Sequence, residues 1–122
     1  MNAKITATAH STPKKILSNL DLEKIVDTSD DWIISRTGIK QRYIVEDGEA
    51  SSDISTKIAE QLLEKSKISA DDIDLIIVGT VTPDHYTPST AALVQKNINA
   101  NNAWGFDLSA ACSGYIFGLE TG

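Results

Sequence analysis

Cysteine is nearly absent from this sequence, since Cys112 is the only one among 122 residues. A single cysteine excludes a disulfide within the chain, which fits a reducing compartment such as the cytoplasm. No apolar run approaches the length of a membrane span, so no membrane partner is expected. The opening MNAKITATAH has neither a basic start nor a sustained apolar stretch, and we do not expect it to be a signal peptide. These absences favour a cytoplasmic protein.

Basic residues are also scarce, with 11 Lys and Arg against 17 Asp and Glu and a net charge of −6. This balance argues against general binding to nucleic acid. A local basic cluster nevertheless exists at Arg36, Lys40 and Arg42. The cluster has two interpretations, an anionic ligand or a solvated strand edge, and charge alone favours the second. The composition, 41% hydrophobic and 23% charged, is that of an ordinary soluble globular protein.

The hydrophobic pattern predicts an α/β fold with a mostly parallel sheet. Residues 4–9 alternate weakly, as in a first strand, and residues 18–26 indicate a short helix. From residue 40 onward, strands and helices alternate with short connections, which is typical of a parallel, doubly wound sheet. The expected strands lie near 40–45, 73–81 and 103–108, and the expected helices near 54–63, 90–98 and after Cys112.

A second helix is predicted over residues 28–39, TSDDWIISRTGI. Thr28 can cap its N-terminus, with Asp31 three positions later in a capping-box arrangement. Gly38 is the expected left-handed residue at its C-terminus.

The last helix is apolar on every side, with only Ser113 and Glu120 interrupting its apolar character. Such a helix is normally covered all round, and a sheet can cover only one side. We therefore expect the sequence to be the first part of a larger protein, or a chain that associates with copies of itself.

Cys112 is expected to lie between a buried strand and the start of that last helix. There the helix dipole and unpaired N–H groups favour the thiolate. The small residues Ala110, Ala111, Ser113 and Gly114 would let a substrate carbonyl approach, as at a nucleophile elbow. The sulfur could then attack a thioester and hold its acyl group. The alternative is a small buried hydrophobe.

A cysteine nucleophile usually has a histidine partner. The sequence offers only His10 and His85, one near the predicted first strand and the other in a loop with two prolines. Both are interpreted as surface residues.

Three stretches together resemble β-ketoacyl-acyl-carrier-protein synthase III, one of the thiolase-like condensing enzymes. They are DLSAACSG around Cys112, DTSDDWIISRTGIKQRYI at 27–44 and IDLIIVGTVTPDHYTPSTA at 73–91. The resemblance implies a thiolase-like layered α-β-α-β-α architecture. Residues 1–122 would form its N-terminal half, and the C-terminal half would be absent.

The resemblance also implies roles for individual residues. Cys112 matches the acyl-accepting nucleophile, and Trp32 matches the aromatic residue that stacks on the adenine of coenzyme A. Thr28 and Arg36 match positions that contact the coenzyme, with Thr37 a weaker candidate. Without the resemblance, Trp32 would be interpreted as a core residue and Thr28 as a helix cap only.

Thr87 falls in a loop that, by the same resemblance, crosses a dimer interface and lines the partner's acyl pocket. Some relatives carry an aromatic residue at this position. Threonine is smaller, so we expect a pocket that admits more than an acetyl group.

The implied reaction has two stages and requires no metal and no cofactor. Acyl-CoA acylates Cys112, and malonyl-acyl-carrier protein then loses carbon dioxide and condenses with the acyl group. The histidine and asparagine that assist decarboxylation would lie in the absent half, so residues 1–122 are expected to lack full activity. The whole protein would be a cytoplasmic homodimer. The alternatives are a related condensing enzyme or acyltransferase of secondary metabolism, or a non-catalytic fragment that binds coenzyme A.

Overall fold

The computed structural model describes residues 3–122, which divide into two compact units. The small unit is Thr12–Glu49, and the large unit comprises the residues up to Ser11 together with Ala50–Gly122. Within residues 3–122, no helix combines the length and apolar character needed to cross a membrane.

The small unit is a two-stranded antiparallel ribbon with two short helices. Strands β1 and β2 pair with Lys15 opposite Ile44 and Ser18 opposite Gln41. Ser18 and Asp21 form a reciprocal capping box at the start of the first helix. In chain order the elements are β1 (Lys15–Ser18), α1 (Asn19–Leu22), α2 (Asp30–Thr37) and β2 (Gln41–Ile44).

Helix α2 begins one residue later than its sequence suggests. Its cap is Ser29, whose hydroxyl accepts the Trp32 N–H at 3.2 Å, so the expected cap at Thr28 is wrong. Ser29 has extended backbone directly before the first helical residue, which places its side chain within reach of that N–H. The expected end is confirmed, because Gly38 is left-handed with φ 72° and its N–H donates to the Ile34 carbonyl at 2.8 Å.

The large unit places two parallel strands among three helices. Strands β3 and β4 pair with Leu75 opposite Trp104 and Gly79 opposite Leu108. The parallel pair and the flanking helices confirm the α/β prediction for this part of the chain. The elements are α3 (Ser51–Ser66), a 3₁₀ turn (Ala70–Asp72), β3 (Leu75–Gly79), α4 (Thr90–Asn97), β4 (Trp104–Leu108), a 3₁₀ turn (Ala111–Ser113) and α5 (Gly114–Thr121).

The core of the large unit forms where α4 packs on the strand pair. Ala91 and Val94 of this helix are buried, as are Ala100 and Ala103 in the turn that leads to β4. Glycine at position 105 of β4 lets β3 and α4 lie close to this strand. A Cβ there would lie 2.6 Å from the carbonyl oxygen of Ile76 in β3.

Two expectations about strands are wrong. Residues 4–9 form no regular strand, and their alternating side chains are mostly small threonines and alanines that offer little apolar surface. Strand β2 pairs with β1 rather than joining the parallel sheet. Sequence order identified β2 as a strand but could not specify its partner, because β1 had not been recognised. The first helix is also shorter than expected and ends at Leu22.

Candidate functional site

Cys112 lies in the turn that joins β4 to α5. The strand ends at Leu108, whose carbonyl accepts the Thr80 N–H at 3.1 Å, and the 3₁₀ turn that contains Cys112 follows. Cys112 is exposed, so its interpretation as a buried hydrophobe is wrong for this structure. The expected placement between a strand and a helix start is confirmed.

The residue before the cysteine has an unusual backbone. Ala111 has φ 46°, in the left-handed region that non-glycine residues rarely occupy. Such a conformation costs on the order of 1–2 kcal/mol and persists only where the surroundings impose it. Strained backbone between a strand and a helix is the geometry of a nucleophile elbow, which exposes the following side chain. An alanine gives no sequence signal for this strain.

Glycines on one face of α5 allow it to pack closely on β3. A Cβ on Gly79 would lie 3.4 Å from the carbonyl carbon of Gly114, and one on Gly118 would lie 3.8 Å from Ile77 Cγ2. The large apolar side chains of the helix are more than half exposed within residues 3–122; they are Tyr115, Ile116, Phe117 and Leu119.

The loop between β3 and α4 carries Thr87, which is exposed. Asp84 fastens this loop to α3, because its carboxylate accepts the Ser52 N–H at 2.9 Å. The residue before α3 is Ala50, which has no side-chain oxygen to cap the helix. Asp84 therefore provides from the loop a capping hydrogen bond that the local sequence lacks.

The far end of the same loop is fastened by Asp107 of β4. Its two carboxylate oxygens accept the N–H groups of Thr90 and Ala91 at 2.7 and 2.8 Å, at the first turn of α4. A carboxylate there also complements the helix dipole. Sequence analysis missed Asp107, although an acidic residue within an otherwise apolar strand was a signal of a specific partner.

The predicted coenzyme-contacting residues lie on α2 and just before it. Thr28 and Trp32 line one pocket together with Asp27 and Ser29. Trp32 is 58% exposed, so it is not a core residue. Arg36 is exposed in the last turn of the helix.

Thr37, the weaker candidate, uses its hydroxyl locally. The oxygen donates to the Ile33 carbonyl at 2.7 Å and accepts the Ile39 N–H at 3.0 Å. These two bonds help to close the end of α2, which is a structural role for Thr37.

The basic cluster seen in the sequence separates into two kinds of residue. Arg42 is partly buried and donates to the Leu17 carbonyl at 3.2 Å and to Asn19 Oδ1 at 2.6 Å. The side chains of Arg36 and Lys40 are exposed, so both charges are accessible from solvent.

The two histidines lie at the surface, and His85 lines one pocket together with Thr87. His10 and His85 are both exposed, as expected. Across residues 3–122, no group of three or more His, Cys, Asp and Glu side chains is arranged to hold a metal ion.

Known structures define the class of fold. No protein-family profile matches the chain. The crystal structure of 3-oxoacyl-[acyl-carrier-protein] synthase III from Aquifex aeolicus VF5 is 47% identical, has a TM-score of 0.92, and matches 97% of this chain and 38% of its own. The priming β-ketosynthase of the R1128 polyketide pathway also has a TM-score of 0.92, at 31% identity, over 97% of this chain and 35% of its own. The fold is thiolase-like.

Curated relatives identify the family more narrowly. The β-ketoacyl-[acyl-carrier-protein] synthase III of Chlorobaculum tepidum is 62% identical over all of this chain and 37% of its own length. That of Streptococcus sanguinis is 60% identical over 98% of this chain and 37% of its own. The chain is homologous to a segment of the β-ketoacyl-[acyl-carrier-protein] synthase III proteins, which confirms the resemblance. It spans about 37% of the length of these relatives.

Proposed function

We propose that this chain is the acyl-accepting and coenzyme-binding part of a condensing enzyme that starts type II fatty-acid synthesis. In the first stage, the Cys112 thiolate attacks the carbonyl carbon of acyl-CoA. A new C–S bond forms to the cysteine, the bond to the coenzyme sulfur breaks, and coenzyme A leaves as a thiolate that takes up a proton.

In the second stage, malonyl-acyl-carrier protein loses carbon dioxide and its enolate carbon attacks the acyl-cysteine. A C–C bond forms, the thioester bond to Cys112 breaks, and the thiolate is regenerated with 3-oxoacyl-carrier protein as product. The acid–base groups for this stage are proposed to lie outside residues 1–122, so this segment alone should not complete the condensation.

The observation that carries the proposal is the exposed position of Cys112 after the strained Ala111, between a strand and a helix. The small residues around it leave room for a thioester beside the sulfur. N–H groups at the start of α5 would stabilise negative charge on the attacked carbonyl oxygen. The homology supports this reading of the geometry.

Helix α2 of the small unit is proposed to bind the nucleotide part of acyl-CoA. The exposed Trp32 indole offers a flat apolar surface for the adenine ring, and Thr28 borders the same pocket. The exposed Arg36 guanidinium suits a phosphate group by its charge and forked donors. Thr37 takes part indirectly by closing the helix.

The remaining properties are proposals that rest on the homology. The whole protein is proposed to act as a cytoplasmic homodimer on acyl-CoA and malonyl-acyl-carrier protein. It requires no metal and no further cofactor, because acyl-CoA enters as a substrate.

The test is intact-mass spectrometry after incubation with acetyl-CoA. It uses this chain and a hybrid enzyme in which residues 1–122 replace the matching segment of the Chlorobaculum tepidum relative. We expect the hybrid to gain one acetyl group, and the same hybrid with Cys112→Ala to gain none. An adduct that survives in Cys112→Ala, or no adduct on an otherwise folded hybrid, would overturn the proposal.

The size of the acyl pocket is a separate proposal that depends on Thr87. In the hybrid, Thr87→Phe should lower the acylation rate with a four- or five-carbon acyl-CoA by about tenfold or more, because the ring occupies space that the longer chain needs. The rate with acetyl-CoA should change much less. Thr87→Ser is the matched control, and a strict preference of the unaltered hybrid for acetyl-CoA would contradict the proposal.

A second candidate is a priming condensation in polyketide synthesis. It is favoured by the R1128 β-ketosynthase, whose TM-score equals that of the Aquifex aeolicus enzyme. Acylation of Cys112 would be common to both. The acyl groups accepted in the first stage and the carrier protein accepted in the second would separate them.

A further inference from the structure

A buried asparagine occupies the centre of the small unit. Asn19 is only 1% exposed, although its side chain is polar. A buried amide without partners would destabilise the fold by several kcal/mol. The contacts of Asn19 therefore indicate what it does.

The amide nitrogen of Asn19 contacts both ends of α2. It donates to Asp30 Oδ1 at 2.8 Å and to the Ile39 carbonyl oxygen at 2.8 Å. Asp30 is the first residue of the helix, and Ile39 follows Gly38, which closes it. One side-chain nitrogen thus bonds both to the first residue of the helix and to the segment that follows its last residue.

The amide oxygen of Asn19 is held equally firmly. It accepts Arg42 Nη2 at 2.6 Å, while Nη1 of the same guanidinium donates to the Leu17 carbonyl at 3.2 Å. The backbone N–H of Asn19 donates to the Lys40 carbonyl at 3.2 Å. Because a guanidinium only donates and a carbonyl only accepts, these partners fix the orientation of the amide.

This contact set requires a short side chain with two donors and one acceptor. Aspartate has no N–H to donate and would place a second carboxylate against Asp30. Glutamine has the right groups on a chain one methylene too long for a site that is already closed. Asparagine alone meets the geometry.

We infer that Asn19 is a positioning residue for coenzyme binding, because it holds both ends of the helix that presents Trp32 and Arg36. This inference rests on the proposed function of α2. Asn19 is buried and would not touch the ligand itself. Asn19 would affect the reaction only by keeping α2, and with it Trp32 and Arg36, in the right place.

The experiment compares two acyl donors in the hybrid enzyme. Acetyl-CoA carries the nucleotide, whereas acetyl-pantetheine carries the same thioester without it. We expect Asn19→Ala to lower the acylation rate of Cys112 by acetyl-CoA by about tenfold, the scale of losing hydrogen bonds to a charged partner. The rate with acetyl-pantetheine should stay within about twofold, because the nucleophile is unchanged.

The ratio of the two rates separates positioning from general damage. Loss of folding would lower both rates together, whereas a displaced α2 lowers only the rate with the nucleotide-bearing donor. Asn101→Ala is the matched control, since Asn101 is exposed and its side-chain amide donates to the nearby Asn99 carbonyl. An unchanged ratio in a folded Asn19→Ala hybrid would overturn the inference.

A second variant covers the case in which Asn19→Ala does not fold. Asp30→Ala removes the hydrogen bond between Asn19 and the first residue of α2 and leaves Asn19 in place. We expect it to lower the ratio in the same direction by about threefold, as for one lost hydrogen bond. A ratio equal to that of the unaltered hybrid would then overturn the inference.

Failure of the proposed function gives a different result. If α2 does not bind the nucleotide, the unaltered hybrid shows no preference for acetyl-CoA, and Trp32→Ala changes neither rate. If the preference exists and Trp32→Ala removes it while Asn19→Ala does not, only the role of Asn19 is wrong.

Discussion

The two candidate sites of this chain are held in place by different means. Helix α2 in the small unit is fixed by side-chain hydrogen bonds that converge on the Asn19 amide. The turn that carries Cys112 in the large unit is fixed mainly by backbone, through the left-handed Ala111 and the close contact of Gly79 with Gly114.

This difference predicts which substitutions each site can tolerate. A site held by backbone packing is disturbed when a side chain is added, because close-packed main chains have no room for it. A site held by a polar network is disturbed when a group is removed, because its partners are left buried and unsatisfied. The following predictions test this distinction, from the largest expected effect to the smallest.

Adding a methyl group at Gly105 should have the largest effect on stability. A Cβ there would lie 2.6 Å from the Ile76 carbonyl oxygen and 3.1 Å from Ala91 Cβ, so the strands or α4 must shift. Gly105→Ala in the hybrid should lower the free energy of unfolding by about 3 kcal/mol, measured by urea denaturation. Gly118→Ala is the matched control, because the nearest atom to a Cβ there is the side-chain atom Ile77 Cγ2 at 3.8 Å. Similar losses in both variants would contradict the packing argument.

Removing the Asp107 carboxylate should have the next largest effect. Asp107→Ala leaves the N–H groups of Thr90 and Ala91 without their partners, and we expect a loss of about 2 kcal/mol by the same measurement. Asp72→Ala removes an exposed carboxylate and should change stability by less than about 0.5 kcal/mol. Equal effects would show that Asp107 does not stabilise the start of α4.

The two arginines of the small unit should separate stability from coenzyme binding. Arg42→Ala removes the bonds to Asn19 and Leu17 and should destabilise the hybrid by about 1 kcal/mol. Arg36→Ala should leave stability unchanged, because its side chain is exposed, and should raise the KM for acetyl-CoA. Denaturation and initial-rate kinetics on both variants measure this. The opposite pattern would contradict both assignments.

The smallest expected effect concerns Asp21 in the capping box of α1. The Lys24 ammonium, followed by Ser18, lowers the pKa of Asp21 from 3.8 to about 2. Because the pKa is lowered on folding, this carboxylate stabilises the fold above pH 3.8, and the contribution is lost as pH falls toward 2. NMR titration of the carboxyl carbon should show the pKa rising toward 3.8 in Lys24→Ala, and by less in Ser18→Ala.

High salt should weaken the same shift, because the Asp21–Lys24 pair is exposed. A pKa that stays near 2 in both variants would show that neither partner causes the shift.

Sequence reasoning succeeded where the signal was local. The helical spacing in α3, the β-branched run of β3 and Gly38 at the end of α2 each follow from a few consecutive residues. It placed Cys112 correctly between a strand and a helix. Trp32 and Thr28, which the family resemblance had linked, line one pocket, and their part in coenzyme binding stays a prediction.

Sequence reasoning failed where contacts between residues far apart in the chain determine strand pairing or burial. The pairing of β2 with β1 depends on a partner more than twenty residues away, and Lys15–Ser18 carries a weak strand pattern. The burial of Asn19 depends on Asp30, Ile39 and Arg42, which no local pattern connects. The choice of Ser29 over Thr28 as cap concerns two adjacent hydroxyl residues and is decided by backbone angles.

The bond from the Ser52 N–H to Asp84 makes one amide proton a spectroscopic reporter of the Thr87 loop. Because the helix start and the loop share this bond, displacement of the loop would free the Ser52 amide. Its chemical shift would then move upfield and its exchange with solvent would accelerate. The N–H of Ala50, the residue before α3, is bonded instead to Asp53 at 2.8 Å and would be unaffected. Comparing these two signals would follow the loop during acyl transfer without any label on the substrate.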